Sequence, residues 1–276
     1  MSHSEAKTPG APPRISYLCL SKDLKWQNGS KIRIYFLNGD PILKNKTFSH
    51  GNQWFDHINL SLEVVFDISQ ADVRVKFMPS GESEKSHTYI GTACLDPSLS
   101  DEPTMILYIN ENTSEDIFAQ VVLHEFGHVL SCVHEHQSPK ADIKWNKEAV
   151  RRDYPEHWTL AMIEENLFYQ YNYENSEASE FDHSSIMTYP IRRHHTMNHV
   201  LLAANYSLSV TDKQFISQAY PKSPTPLFIN SAAPELNTKP GASNMSPLNK
   251  SWASWMHGTR AITGPKHVPR RGATMP

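Results

Sequence analysis

The run from Thr113 to Pro139, TSEDIFAQVVLHEFGHVLSCVHEHQSP, sets the strongest limit on what this chain can fold into. Thr113 with Asp116 is a capping-box pattern, so a helix is expected to begin there. Apolar residues then run almost without a break from Ile117 to Leu123, which reads as a buried helix. Positions i and i+4 share one helical face, so His124 and His128 stand side by side. Glu125 lies near the same rim but out of line with them, placed to reach a metal-bound water and not the metal. A helix ending near Leu130, with the chain turning back, lets His134 complete a three-histidine zinc site with an open fourth position. Two helical histidines are also commonplace on a solvated surface. The apolar setting argues against that here, because unpaired polar groups on a buried helix are costly.

The full spacing is H-E-x-x-H-x-x-S-x-x-H, and Ser185-Ile186-Met187-Thr188-Tyr189 follows downstream. Together these resemble the metzincin zinc endopeptidases, whose signature is the long histidine motif followed by a Met-turn. Within that clan the chain resembles the astacin family. His134-Glu135-His136 matches the astacin continuation, and Phe181 to Tyr189 matches its Met-turn, with tyrosine two residues after methionine. The strings LHEFGHVLSCVHEHQSP and FDHSSIMTYPI are also similar to a fungal branch of astacin-like peptidases. The resemblance runs from about Trp26 to Pro221.

That resemblance implies an α/β (α+β) metzincin-like zincin fold. A twisted mixed sheet and the active-site helix would lie above a small, loop-rich lower subdomain. It implies Zn2+ held by His124, His128 and His134, with Glu125 as general base and then general acid. Tyr189 would stabilise the oxyanion and serve as a possible further metal ligand, and Met187 would form a hydrophobic floor beneath the metal. Glu135 matches a family glutamate that anchors a mature N-terminus. The implied function is a zinc-dependent endopeptidase that hydrolyses peptide bonds of protein substrates through a zinc-activated water. The alternative is a catalytically weakened astacin-like binding or scaffold protein. Ser131 motivates it, because metzincins have glycine there to let the backbone turn with positive φ.

Along the chain, Lys31–Leu37 reads as a strand closed by a turn at Asn38-Gly39-Asp40-Pro41, and residues 44–58 as a helix. Residues 62–66, 72–77, 87–92 and 104–109 read as further strands. The segment His87–Thr92 is expected at the sheet edge, where the family binds a protein or peptide substrate by strand addition. Residues 147–153 and 160–169 read as short helices. Ser209-Val210-Thr211-Asp212 opens a last helix, closed by Pro221. The expected organisation is a flexible segment at 1–25, a catalytic domain at 26–221 and a disordered Pro/Ser-rich basic tail at 222–276.

A net charge of −3 and a pI near 6.6 argue against nucleic acid as a partner. No run in the first thirty residues is apolar enough for a signal peptide or a membrane helix, so no membrane partner is expected. At face value the chain is cytoplasmic. Seven N-x-S/T acceptors, from Asn28 to Asn249, point the other way, to a secreted chain. Three cysteines cannot all pair internally, so no disulfide framework is expected, and Cys132 reads as a small buried side chain beside the site.

Overall fold

The structure is a computed structural model that describes residues 19–79, 85–154, 158–174, 176–178 and 180–222. The tail expected from residue 222 onward lies, apart from Lys222, outside them.

A five-stranded mixed sheet forms the upper half. Strand β2 (Lys31–Phe36), β3 (Ser61–Val64), β4 (Val73–Phe77), β5 (His87–Thr88) and β6 (Met105–Leu107) line up in the order β3-β2-β4-β6-β5. All neighbours are parallel except β5, which runs antiparallel to β6 with His87 opposite Ile106. In β2 the alternation buries Ile32, Ile34 and Phe36, the period-2 pattern of a strand with one covered face.

Helix α1 (Pro41–Asn52) and the central helix α2 (Glu115–Val129) pack on each other, and α2 packs on β5 and β6. Trp54, fully buried, donates its indole N–H to the Leu123 carbonyl (2.9 Å). The expected turn at 38–41 doubles as the start of α1. Asp40 is the N-cap, accepting from the Leu43 N–H (2.9 Å), and Pro41 sits where a missing N–H costs nothing. The expected helix therefore starts three residues early and ends at Asn52, with a single 3-10 turn at Phe55–His57 beyond it.

The start of α2 also differs from expectation. Its N-cap is Ser114, which makes no side-chain cap bond, and the Thr113 hydroxyl accepts instead from the Asn110 N–H (3.0 Å). The edge segment 87–92 gives only a two-residue strand. Gly91, at φ +49, turns the chain into a 3-10 helix over Gly91–Leu95, and an added Cβ there would lie 2.1 Å from the Leu24 carbonyl.

Below the sheet, α3 (Lys147–Asp153) forms as expected. The segment 160–169 makes one α-turn, α4 (Leu160–Ile163), followed by a wider π turn over Glu164–Phe168. The aromatics here are packing residues. Trp145, Tyr154, Trp158, Phe168 and Tyr189 surround buried Val150, Ile163 and Leu167. Helix α5 (Val210–Ala219) closes the domain behind a full Ser209/Asp212 capping box, and buries Phe215 and Ile216.

Residues 19–25, expected in the flexible N-terminal segment, are part of this fold. Cys19 and Leu20 are fully buried, and β1 (Leu20–Ser21) pairs with β7 (Ser176–Glu177). The packed domain therefore reaches back at least to Cys19. All three cysteines are buried and free. Among the described residues, no helix is long and apolar enough to cross a membrane.

Candidate metal centre

Helix α2 carries His124 and His128 one turn apart, as the spacing requires, and their rings lie 4.8 Å apart edge to face. The helix then ends in a Schellman motif. The Ser131 N–H bonds to the His128 carbonyl (2.9 Å), and the Cys132 N–H reaches back to the Gly127 carbonyl (3.0 Å). That motif needs a left-handed residue between its two bonds, and Ser131 supplies it at φ 72. A left-handed serine costs about 1–2 kcal/mol. Here its hydroxyl recovers part of that cost by donating to the Leu24 carbonyl (2.6 Å) in a fully buried site. The turn sends the chain back, and the His134 ring comes to 4.8 Å from His128 and 5.3 Å from His124.

One ligand nitrogen from each of His124, His128 and His134 lies within 4.8 Å of the others. The outer nitrogens explain which ones converge. Nδ1 of His124 bonds to the Ile186 carbonyl (2.9 Å) and Nδ1 of His128 to the Cys132 carbonyl (2.8 Å). A carbonyl only accepts, so both Nδ1 atoms carry the proton and both Nε2 atoms keep a free lone pair. Nδ1 of His134 meets Oε1 of Gln137 (3.2 Å), which fixes the third ring in the same sense. Outer partners of this kind set ring orientation in metal sites. Burial lowers all three imidazoles: His124 to about 4, His128 to about 3 and His134 well below the usual histidine value. Three neutral nitrogen donors on a half-open site suit zinc. His136, next in sequence, belongs to a different set, because its Nε2 bonds the Asn166 carbonyl (3.0 Å). Cys132 contributes its carbonyl and not its thiol.

The Met-turn sits beneath this cluster. Met187 is fully buried, and its sulfur packs so close to Gly127 that an added Cβ there would lie 2.3 Å from it. Glycine between Phe126 and His128 is therefore a packing requirement. Asp212 of α5 holds the turn from behind. It accepts from the Ser185 hydroxyl (2.7 Å) and the Ile186 N–H (2.9 Å), so one carboxylate both caps a helix and aims the carbonyl that orients His124. Glu135, fully buried, accepts from the Asp182 N–H (2.9 Å), and burial pushes its carboxyl up to about 8.

Glu125 lies on the wall of a cleft of about 500 Å³ that His124, Tyr189, Lys85 and Arg192 also line. It is only 4% exposed, and burial raises its carboxyl to about 8. The Thr88 hydroxyl on β5 opposes that shift by donating to Oε2 (2.7 Å). The Tyr189 ring lies 4.1 Å from the His134 ring and 5.7 Å from that of His124, and burial raises its phenol, which keeps the O–H available to donate. His124, His128, His134, Glu125, Met187 and Tyr189 thus lie together here. Thr88 and Gln137 carried no motif, and Asp212 was legible only as a helix-start residue.

No protein-family model and no curated protein matches the sequence. Solved structures do match it. One structure of myroilysin, an astacin-like metalloprotease, is 34% identical over 74% of this chain and 99% of that one, with a TM-score of 0.69. A second myroilysin structure is 33% identical over 73% and 87%, with a TM-score of 0.55. High choriolytic enzyme 1, a hatching enzyme zinc-protease from the medaka fish Oryzias latipes, is 15% identical over 73% and 96%, with a TM-score of 0.47, too distant to bear on the argument.

Proposed function

Because this chain belongs to the astacin-like zinc metallopeptidases, we propose that it is an active endopeptidase whose own residues divide the work around one zinc ion. The observation that carries this reading is the set of three outer hydrogen bonds. They leave the inner nitrogens of His124, His128 and His134 free and convergent beside Glu125. Zinc, when bound, polarises a carbonyl and makes water more acidic at neutral pH.

Glu125 is the proton carrier. Its carboxylate takes a proton from the attacking water and returns it to the departing amine. Thr88 holds that carboxylate in place and favours its charged form. Tyr189 keeps its proton and donates it as a hydrogen bond to the oxygen on which negative charge develops. Met187 fills the floor under the histidines and takes no part in proton transfer.

The substrate class is protein or peptide. The peptide backbone would add to β5, the antiparallel edge of the sheet, by strand pairing. Thr88 lies on that strand, so substrate docking and the position of Glu125 are joined through one residue. The catalytic domain on this reading runs from at least Cys19 to Pro221. Incubation with a chelator, then with added zinc, tests it on a casein or quenched-peptide substrate. Activity should disappear and return. Cleavage that persists in the chelated, metal-free protein would overturn the reading.

A further inference from the structure

A second group of metal-type donors lies on the same cleft, outside the three-histidine centre. Asp153 ends α3, and His194 and His195 lie in a 3-10 turn, Arg193–His195, just after the Met-turn. The two segments are stitched together nearby, where the Asn146 N–H bonds to the His195 carbonyl (2.8 Å) and Trp145 bridges Thr196. Nε2 of both histidines hydrogen-bonds the same carboxylate oxygen, Oδ2 of Asp153, His195 at 3.1 Å. One donor atom from each residue lies within 4.8 Å of the others. Asp153 and His195 line the cleft together with His124 and Glu125.

We propose that Asp153, His194 and His195 form a second metal site for a borderline divalent ion such as Zn2+, Ni2+ or Cu2+. Two imidazoles and one carboxylate are the donor set these ions favour. Across a tetrahedral ion with bonds of about 2.0–2.1 Å, donor atoms lie roughly 3.3 Å apart. The His195–Asp153 separation of 3.1 Å is already close to that, and the proton each Nε2 now donates to the carboxylate moves to Nδ1 or to water when the ion enters. The two imidazoles also hold the Asp153 carboxyl well below the usual carboxylate range, so it is ionised and ready to bind. Arg152 Nε, 3.3 Å from Oδ1, takes the other oxygen and leaves Oδ2 to the histidines.

The neighbouring charges set the selectivity. Arg152 and Arg192, the latter 3.9 Å from Oδ2, repel a purely ionic guest. That repulsion acts on every divalent ion, and those that bond strongly to nitrogen offset more of it through the two imidazoles than hard, oxygen-seeking ions do. With His194 half exposed, the ion would keep open positions for water or for an anionic group.

The test starts from full-length protein carrying its first zinc and titrates it with Zn2+ by equilibrium dialysis, with Co2+ absorption as a spectroscopic check. The site predicts a second equivalent per chain, weakened at least tenfold in both His194→Ala and Asp153→Asn, while the first equivalent stays. His194 is half exposed, so its variant keeps the fold, and circular dichroism with retained first zinc verifies this. Mg2+ and Ca2+ should not compete. Uptake of one equivalent only would mean that the cluster is an ion pair. An undiminished second equivalent in His194→Ala would place the ion elsewhere. Equal competition by Mg2+ would rule out nitrogen ligation. Any of the three overturns the site. The readout is metal content, so it stands or falls apart from peptidase turnover.

Discussion

The hydroxyl of Thr88 donates a 2.7 Å hydrogen bond to Oε2 of Glu125, tying the edge strand of the sheet to the carboxylate beside the metal ligands. The bond joins a strand two residues long directly to α2. The bond favours the charged form of a carboxylate that burial pushes the other way.

Thr88→Val keeps the shape and removes the donor. Glu125 should then rise further, and the acid limb of the kcat/KM profile should move to higher pH by about one pH unit, since hydrogen bonds to charged groups contribute about 1.5–3 kcal/mol. Turnover near neutral pH should fall about tenfold, with zinc content unchanged and Thr88→Ser restoring most of it. An unmoved pH profile would leave Thr88 as packing only.

Ser131 gives a second prediction, because two effects oppose each other there. Strain alone makes Ser131→Gly stabilising, as the left-handed turn suggests. The structure adds the hydroxyl bond to the Leu24 carbonyl, whose loss leaves a buried acceptor unsatisfied at about 1–3 kcal/mol. Ser131→Ala keeps the strain and loses the bond, so it should be less stable than Ser131→Gly by roughly 1 kcal/mol. Both should be less stable than the parent chain in urea unfolding. A more stable Ser131→Gly would show that the hydroxyl contributes little.

Much of this site was legible because it is local. The i, i+4 histidines, the turn back to His134 and the Met-turn lie within short windows, and helical geometry decides what they can reach. The capping box of α5 was equally plain. What the sequence could not show are partners brought together by the tertiary fold. Thr88 meets Glu125 37 residues away, and Asp212 meets Ile186 across 26. At the expected cap, Thr113, the hydroxyl accepts from the Asn110 N–H instead. The residues at 19–25 look featureless in sequence, yet they pack because the Ser131 turn and β7 offer them backbone partners.

Metal retention should follow the buried imidazoles. Protons compete with zinc only for a protonatable lone pair, and burial lowers His124 to about 4 and His128 to about 3. Competition therefore sets in below those values and not near 6.5, where an ordinary imidazole titrates. Dialysis at about pH 5.5 against a weak chelator should leave the first zinc in place, with loss setting in only below about pH 4. Half-release near pH 6.5 would mean that the ligands are more solvated than the structure shows.

The most direct measurement is the zinc content and turnover of Glu125→Gln, side by side with the parent protein. The substitution keeps the volume and removes the proton-carrying carboxylate. Proton transfer of this kind contributes about 10²–10⁴-fold. One zinc per chain is expected in the three-histidine centre of both proteins, with a kcat at least about a hundredfold lower in Glu125→Gln. Undiminished turnover in a zinc-loaded Glu125→Gln would contradict Glu125 as the proton carrier.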